Sequence, residues 1–194
     1  LGRSVESLKN LPENQDTTVK YMFDIINTIA VTSYMLSPTV AMQSSLNPVL
    51  LSLRNGIGQF SPYAFVSFCF TLVALGKIEL AYQFGKLSLE LSKRKIARDF
   101  MCKVHFIYYA LVHHWKKSIK ETLPALLENY DRSMEVGDYE MAAFSLMTYS
   151  YLSFYSGTNL NKLSNEISEF IKKVSAINQE IPLLFMRLNQ QVIL

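Results

Sequence analysis

The hydrophobic and polar positions of residues 61–91 change their spacing at one point, and this change predicts a pair of helices. Residues 63–75 are apolar almost all round, which is typical of a helix that is buried on most sides. Ser61 and Pro62 supply a predicted N-cap and a first-turn proline, and Gly76 marks the end of this helix. Later apolar positions recur at intervals of three and four, as in an amphipathic helix: Ile78, Leu80, Ala81, Phe84, Leu87, Ser88 and Leu91. So short a break makes the two helices antiparallel, and the stretch predicts an αα-hairpin.

Helical spacing also covers most of the chain outside this hairpin. No segment alternates with the period of two that is expected of a strand. Helix one is predicted over about 18–36, with Tyr21, Ile25 and Ile29 on its apolar side. Helix two follows, and Pro48 predicts a kink or a split within it. We therefore predict an all-α fold.

The turns between the helices recur at a nearly constant interval. Those inside the predicted hairpins lie near Ser37, Gly76, Trp115 and Gly157, and those between hairpins lie near Gly56, Lys95, Gly137 and Asn178. The steps are roughly 40 residues, and two helices in a period of this length are typical of helical solenoids. The finer prediction is an α-solenoid of about four antiparallel helix hairpins, similar to tetratricopeptide (TPR) repeats.

The polar first 16 residues differ from the rest of the chain. We predict a partly irregular N-terminal segment over 1–16, with Leu8, Leu11 and Pro12 as its anchors. A single helical-repeat domain is predicted over 17–194. Because the chain starts without methionine and ends on apolar residues, we expect it to be a piece of a longer protein.

Composition excludes some classes of function. A net charge of +3 is small for a general nucleic-acid binder, and the apolar run 63–75 is shorter than the ~20 residues that span a bilayer. Cys69 and Cys102 lie in apolar helical stretches and are predicted to be buried thiols, which favours a reducing compartment. We therefore expect no nucleic-acid partner, no membrane association and a cytoplasmic location.

Candidate chemistry is sparse in this sequence. Cys102 and His105 lie three residues apart on one predicted helix, a spacing that suits two metal ligands. Cys69 and the pair His113 and His114 show no spacing that would complete such a site. No GxxxxGK[ST] loop is present to bind phosphates, and no carboxylate pair or activated nucleophile can be named. The sequence predicts no catalytic, cofactor-binding or metal-binding residue, so an enzyme built on these His and Cys residues is disfavoured.

The uneven distribution of charge indicates two candidate interaction surfaces. Between residues 21 and 76 only Asp24 and Arg54 are charged, so these helices should bury more than one face or meet a partner. Residues 77–120 contain ten Lys and Arg against three acids, which is typical of a solvated solenoid edge or of a phosphate-binding patch. The candidate residues are Tyr21, Ile25, Met35 and Met42 for the apolar surface, and Lys93, Arg94, Lys95 and Arg98 for the basic one.

The apolar surface also predicts self-association. The apolar residues of 21–76 are too numerous for one face of two helices, so we predict a symmetric homodimer through helices one and two. The competing interpretation is that the kink at Pro48 folds helix two back and hides this surface within the monomer.

Several stretches resemble, in order, segments of a known family. They are LPENQDTTVKYMFDIINTIAVTSYMLSP (11–38), NPVLLSLRNGIGQFSPYAFVSFCFTL (47–72), YQFGKLSLEL (82–91), VHHW (112–115) and MEVGDYEMAAFSLMTYSYLSFYSGTNL (134–160). The family is the helical middle region of large multidomain signalling proteins. There, a kinase-like domain and a STAND-type P-loop ATPase module usually precede this region, and GAF and histidine-kinase domains often follow it. Arg54 departs from the family, which more often has an aromatic residue at that position.

This resemblance implies a non-catalytic regulatory or scaffold region of a two-component sensor kinase type of protein. Such a region relays state between the ATPase and output kinase modules through protein–protein contacts. The resemblance implies no cofactor and no enzyme activity for this chain, and partners that are other domains of the same protein. The alternative is a free-standing TPR-like adaptor whose groove binds a peptide of another protein.

Overall fold

The computed structural model describes the backbone of residues 4–193, and their side chains except those of residues 27, 30–36 and 38. The α-helices in this range are α1 (Thr17–Leu36), α2 (Pro38–Asn55), α3 (Ser61–Ala74), α4 (Ile78–Leu91), α5 (Met101–Leu111), α6 (Ile119–Val136), α7 (Tyr139–Tyr155), α8 (Leu160–Ala176) and α9 (Glu180–Ile193). Short 3-10 helices cover Val5–Asn10, Lys95–Phe100 and His113–Trp115. The described residues contain no β-strand and one isolated bridge, between Glu13 and Ile57. The predicted all-α class is confirmed.

The chain divides into two compact units, Leu1–Lys116 and Lys117–Leu194. In the first unit α1 packs along α2, α2 against α3 and α3 along α4, while α5 packs on both α3 and α4. Its main core includes Val49, Ile57, Phe65, Val66, Cys69, Leu72, Ala81, Phe84, Leu87, Leu91, Val104, Tyr108 and Val112. Phe65 is fully buried and meets Phe84 edge-to-face, with ring centroids 5.7 Å apart. The α3–α4 hairpin that the sequence predicts therefore supplies the centre of this unit.

Close approach of α4 and α5 depends on Gly85. A Cβ atom at this position would lie 2.5 Å from Cδ2 and 2.7 Å from Cε2 of Tyr108, far closer than packed carbon atoms approach. Tyr108 is itself buried, so its ring has little space to move into. The missing side chain at Gly85 allows the two helices to lie against each other.

Residues 4–16, which we call the N-terminal strap, pack onto the first unit. The 3-10 helix Val5–Asn10 lies on α4, and Leu8 is buried in the core as predicted. Arg94 holds the end of this helix, because its Nη2 donates a hydrogen bond of 2.5 Å to the carbonyl oxygen of Lys9. The strap is thus part of the folded unit.

The second half of the strap is joined to the loop that follows α2. The backbone N–H of Ile57 donates to the carbonyl oxygen of Pro12 at 2.8 Å, and the N–H of Asn14 donates to the carbonyl oxygen of Ile57 at 2.9 Å. The side chain of Pro12 is exposed, so its predicted role as an apolar anchor is wrong. Proline anchors the strap through its carbonyl group, which hydrogen-bonds as well as that of any other residue.

In the second unit α6 packs along α7, α8 packs against α9, and α7 contacts both α8 and α9. Its core is centred on Ala143, Leu146, Val174 and Met186. Polar caps start three helices: Ser118 with Glu121 in a capping box at α6, Asp138 at α7 and Asn159 at α8. These caps accept hydrogen bonds from the first backbone N–H groups of the helices and stabilise their starts.

The pairing of the later helices differs from the prediction. The α1–α2 and α3–α4 hairpins are observed, whereas α5 packs within the first unit and α6 forms its hairpin with α7. The reason is the length of the connections. Gly137, with φ of 78°, and the cap Asp138 join α6 and α7 directly, which forces an antiparallel pair. A 3-10 helix and further residues separate α5 from α6, and the prediction of one repeat domain over 17–194 stays a prediction.

The structure corrects two local predictions about the first unit, at Ser61 and at Pro48. Ser61 does not cap α3; its hydroxyl accepts hydrogen bonds from the N–H of Gly58 and from the hydroxyl of Ser52, both at 2.9 Å. Helix α2 is continuous through Pro48, so the alternative of a split is wrong, while the alternative of a kink stays a prediction. A proline inside a helix removes one backbone hydrogen bond, and Pro48 is buried, so tertiary packing holds the helix together.

Candidate interaction surfaces

Helix α1 carries an apolar row on its exposed side. Tyr21, Ile25 and Ile29 are 61%, 62% and 52% exposed, and their spacing of four residues places them along one face. We call Tyr21, Met22, Ile25 and Ile29 the α1 stripe. The face of α1 that packs into the unit uses Val19 and Phe23 instead. The helix is therefore apolar on two sides, and one of them is exposed in this chain.

Helix α2 adds to the exposed apolar surface. Met42 is 39% exposed, and Val40 and Leu46 are exposed to a similar degree. Tyr21, Ile25 and Met42 thus lie on the surface, where an interface residue must lie. The side chain of Met35 lies outside the described residues.

The four predicted basic residues do not form one patch. Arg94 is half-buried and holds the strap through the carbonyl oxygen of Lys9. Lys93 and Lys95 are exposed and line two different cavities, and Arg98 is exposed within the 3-10 helix that follows α4. The turn after α4 therefore holds the strap through Arg94, and Lys93 and Lys95 each supply an ammonium group to a different cavity.

A groove of about 790 Å³ lies between the strap, α4 and the end of α5, and we call it the α4 groove. Its lining includes Tyr82, Lys86, Leu87, Lys93, Tyr108 and Tyr109. Leu87 and Tyr108 are buried and form an apolar floor. The rings of Tyr108 and Tyr109 meet edge-to-face with centroids 5.0 Å apart, so the aromatic groups are packed against one another. The groove combines an ordered aromatic surface with exposed ammonium groups.

The charged groups of the α4 groove are in two different situations. Lys9 Nζ lies 3.4 Å from Glu6 Oε1 and 3.9 Å from Glu90 Oε1, so both carboxylates have a cation beside them. Lys86 and Lys93 form no ion pair with any carboxylate in the part of the chain that the structure describes. Lys86 Nζ lies 5.9 Å from the centroid of the Tyr82 ring. Counting Lys9, three ammonium groups and two carboxylates lie around the groove, so its net charge is positive.

A second cavity, of about 530 Å³, lies between the strap, the start of α1 and the loop before α3. Phe23 and Phe60 line it and stack with centroids 5.7 Å apart. Its other lining residues include the acids and lysines Glu13, Asp16, Lys20 and Lys95. This cavity therefore combines an aromatic wall with charged groups of both signs.

Burial and two hydrogen bonds hold the thiol of Cys69 in the core of the first unit. Cys69 donates from Sγ to the carbonyl oxygens of Phe65 and Ala81, both at 3.2 Å, and burial raises the pKa of its thiol. A thiol held in this way is a poor nucleophile at neutral pH. Among the described residues, no three His, Cys, Asp or Glu side chains come close enough to hold a metal, and no helix is long and apolar enough to cross a bilayer.

Acidification is expected to destabilise the first unit through His114. Burial lowers the pKa of this imidazole, and its Nδ1 has no hydrogen-bond partner among the described residues. In the unfolded chain the imidazole has an ordinary pKa of about 6.5, so below that pH the unfolded state binds more protons than the folded state. The contribution of His114 to the free energy of unfolding is therefore fully present above this pH. It is lost as the pH drops toward the lower pKa of the folded state.

Urea denaturation at about pH 7.5 and pH 5.5 checks this, because the ordinary carboxylate range near pH 4 lies below both conditions. The loss of stability between the two conditions should be smaller in His114→Leu than in the unmodified chain. An equal loss in both proteins would contradict the assignment to His114.

No protein-family model matches this chain, and no curated protein sequence matches it.

Proposed function

We propose that this chain is a non-catalytic helical scaffold region that acts through protein–protein contacts. The observation that carries the proposal is the α1 stripe, an exposed apolar row on a helix whose other side already packs into the unit. Exposed apolar rows of this kind are typical of surfaces that meet another protein. The proposal includes a cytoplasmic location, no nucleic-acid partner, no cofactor and no enzyme activity of the chain itself.

The proposed architecture is an α-solenoid of TPR-like hairpins. Three antiparallel pairs support it, α1 with α2, α3 with α4 and α6 with α7. In a solenoid each hairpin buries one face in its own unit and offers another to a neighbour, which accounts for a helix that is apolar on two sides.

The finer proposal is that this scaffold is the regulatory middle region of a multidomain ATP-binding signalling protein of the sensor kinase type. Its support is the order of the motifs in 11–38, 47–72, 82–91 and 134–160. In this setting the α1 stripe contacts another domain of the same protein. A P-loop ATPase motif encoded upstream of this chain in its gene would support it, and a gene encoding repeats alone would contradict it.

The isolated chain is expected to form a symmetric dimer through α1 and α2. Burying apolar surface gains roughly 25 cal/mol per Å², which can offset the cost of docking for weak association. Light scattering at concentrations up to about 100 µM should show a mass rising toward that of a dimer, as expected for a micromolar dissociation constant. Ile25→Glu and Met42→Glu should return the mass to that of a monomer, because each places a charge on the interface.

Asn165→Glu is the matched control, since it adds the same charge to an exposed position of α8 in the second unit. It should leave the dimer intact. A strictly monomeric mass for the unmodified chain would rule out the homodimer. Loss of the dimer in all three variants would show that net charge, not the α1 stripe, controls association.

A second candidate function is a free-standing adaptor that binds a peptide of another protein. The observation that favours it is the α4 groove, whose volume of about 790 Å³ and aromatic lining suit a short peptide segment. The two candidates use different surfaces of the first unit, and the variants above do not touch the groove.

A further inference from the structure

We propose that the α4 groove binds an acidic peptide segment that contains an aromatic residue, in an extended conformation. This inference rests on the proposed function, since it names the kind of partner that a scaffold region would bind in this groove. It concerns a surface that is separate from the α1 stripe.

The sign of the ligand's charge follows from the ion pairs in the groove. Glu6 and Glu90 already lie beside Lys9, at 3.4 Å and 3.9 Å. Lys86 and Lys93 line the same groove, are exposed, and pair with no carboxylate of the described chain. A ligand with carboxylates would meet these two ammonium groups, whereas a basic ligand would be repelled by them.

The spacing of the two lysines suits an extended peptide. Lys93 follows Lys86 by seven positions and lies in the turn after α4, so the two lysines are on the order of 10 Å apart along the direction of α4. In an extended peptide, side chains four positions apart lie on the same face and about 13 Å apart, a separation that two long lysine side chains can span. The residue midway between these two carboxylates lies on the same face and would meet the floor of the groove.

The floor of the groove favours an aromatic side chain at this middle position. Tyr108 and Leu87 are buried there, and Tyr82 and Tyr109 stand beside them. Aromatic rings gain from edge-to-face or offset contacts with such a surface. Because Gly85 lets Tyr108 pack tightly against α4, the floor is held in place before the ligand arrives, which lowers the entropic cost of binding.

The test is fluorescence anisotropy with the fluorescein-labelled peptide AEEFEEA and the full 194-residue chain. We expect saturable binding in the micromolar range, and binding of AQQFQQA that is weaker by about tenfold or more, which is about 1.4 kcal/mol. The double variant K86E/K93E should weaken binding of AEEFEEA at least tenfold. Both lysines are exposed, so circular dichroism should show the same helix content and melting temperature as in the unmodified chain.

The matched control is K117E/K120E, which makes the same change in net charge at two exposed lysines outside the groove. It should keep the affinity for AEEFEEA within about twofold, since neither lysine lines the groove and exposed charges are screened by salt. No saturable binding by the unmodified chain would overturn the proposal. So would equal loss in both double variants, or equal binding of AEEFEEA and AQQFQQA.

The outcome is independent of the test of the proposed function. Ile25→Glu and Met42→Glu should abolish dimers and leave peptide binding unchanged, whereas K86E/K93E should do the reverse. Failure of peptide binding with an intact dimer would remove this inference alone, and failure of the dimer with intact peptide binding would remove the homodimer alone.

Discussion

Replacing Phe65 with alanine is expected to lower the free energy of unfolding of the first unit by about 3–5 kcal/mol. The side chain is fully buried in α3 and contacts the ring of Phe84 edge-to-face. Its removal leaves a cavity between α3 and α4 that the surrounding helices fill only in part. Urea denaturation followed by the fluorescence of Trp115, the only tryptophan of the chain, measures this loss because Trp115 lies in the same unit.

Phe70→Ala is the matched control for this prediction. Phe70 lies one and a half turns further along α3 and is 45% exposed, so the same change of residue removes much less buried surface. Its expected cost is about 1 kcal/mol or less. Equal losses for the two variants would contradict the central position of Phe65 in the core.

The α3–α4 hairpin could be predicted from sequence because its pattern and its packing agree. Residues 63–75 are apolar on nearly all sides, and α3 is surrounded by α2, α4 and α5. Gly76 marks the turn in the sequence and has a φ of 70° in the structure, a backbone conformation that residues with a side chain rarely adopt. The apolar pattern and the turn glycine are therefore enough to predict this hairpin from sequence.

The orientation of α1 could not be predicted in the same way. Tyr21, Ile25 and Ile29 define the apolar side of this helix in the sequence, but Val19 and Phe23 form its buried side. A helix with apolar residues on two sides has no spacing that distinguishes the core from a surface. The lack of charge in this part of the chain indicated the excess of apolar surface, and only the structure shows which side is exposed.

The hairpin assignment shows a similar limit. Turn residues near Trp115 and Gly137 were both visible in the sequence, and the regular interval gave Trp115 the inside of a hairpin. The structure places the tight turn at Gly137 and Asp138, because a glycine at positive φ followed by a capping aspartate reverses the chain in the fewest residues. The residue types of the turn predict the hairpin better than the regular interval between turns does.

The α4 groove was only partly visible in the sequence. Lys93 was identified from the excess of basic residues in 77–120. The groove itself is built from the strap, α4 and α5, which are distant in sequence. Part of the strap is joined to the unit by backbone hydrogen bonds, such as that from Ile57 to Pro12, and these have no signature in the side chains. Long-range contacts made by the backbone are the part of this site that sequence patterns do not contain.

Replacing Gly56 with alanine is expected to release the strap and to lower the free energy of unfolding of the first unit by about 3 kcal/mol. Gly56 has a φ of 98°, which strains any residue with a side chain. An added Cβ would also collide with the carbonyl oxygen of Pro12, the acceptor of the hydrogen bond from Ile57. The backbone would have to move at the point where the strap is joined to the unit.

Gly58→Ala provides the comparison within the same loop. Gly58 does not have a positive φ, and a Cβ there would lie 3.6 Å from the carbonyl oxygen of Asn14, an ordinary contact. Its expected cost is about 0.5 kcal/mol or less. Hydrogen exchange should show faster exchange of the amides of Asn14 and Ile57 in Gly56→Ala and unchanged exchange in Gly58→Ala. Because the strap forms one wall of the α4 groove, Gly56→Ala should also weaken binding of AEEFEEA, while protected amides in Gly56→Ala would show that the strap does not depend on this glycine.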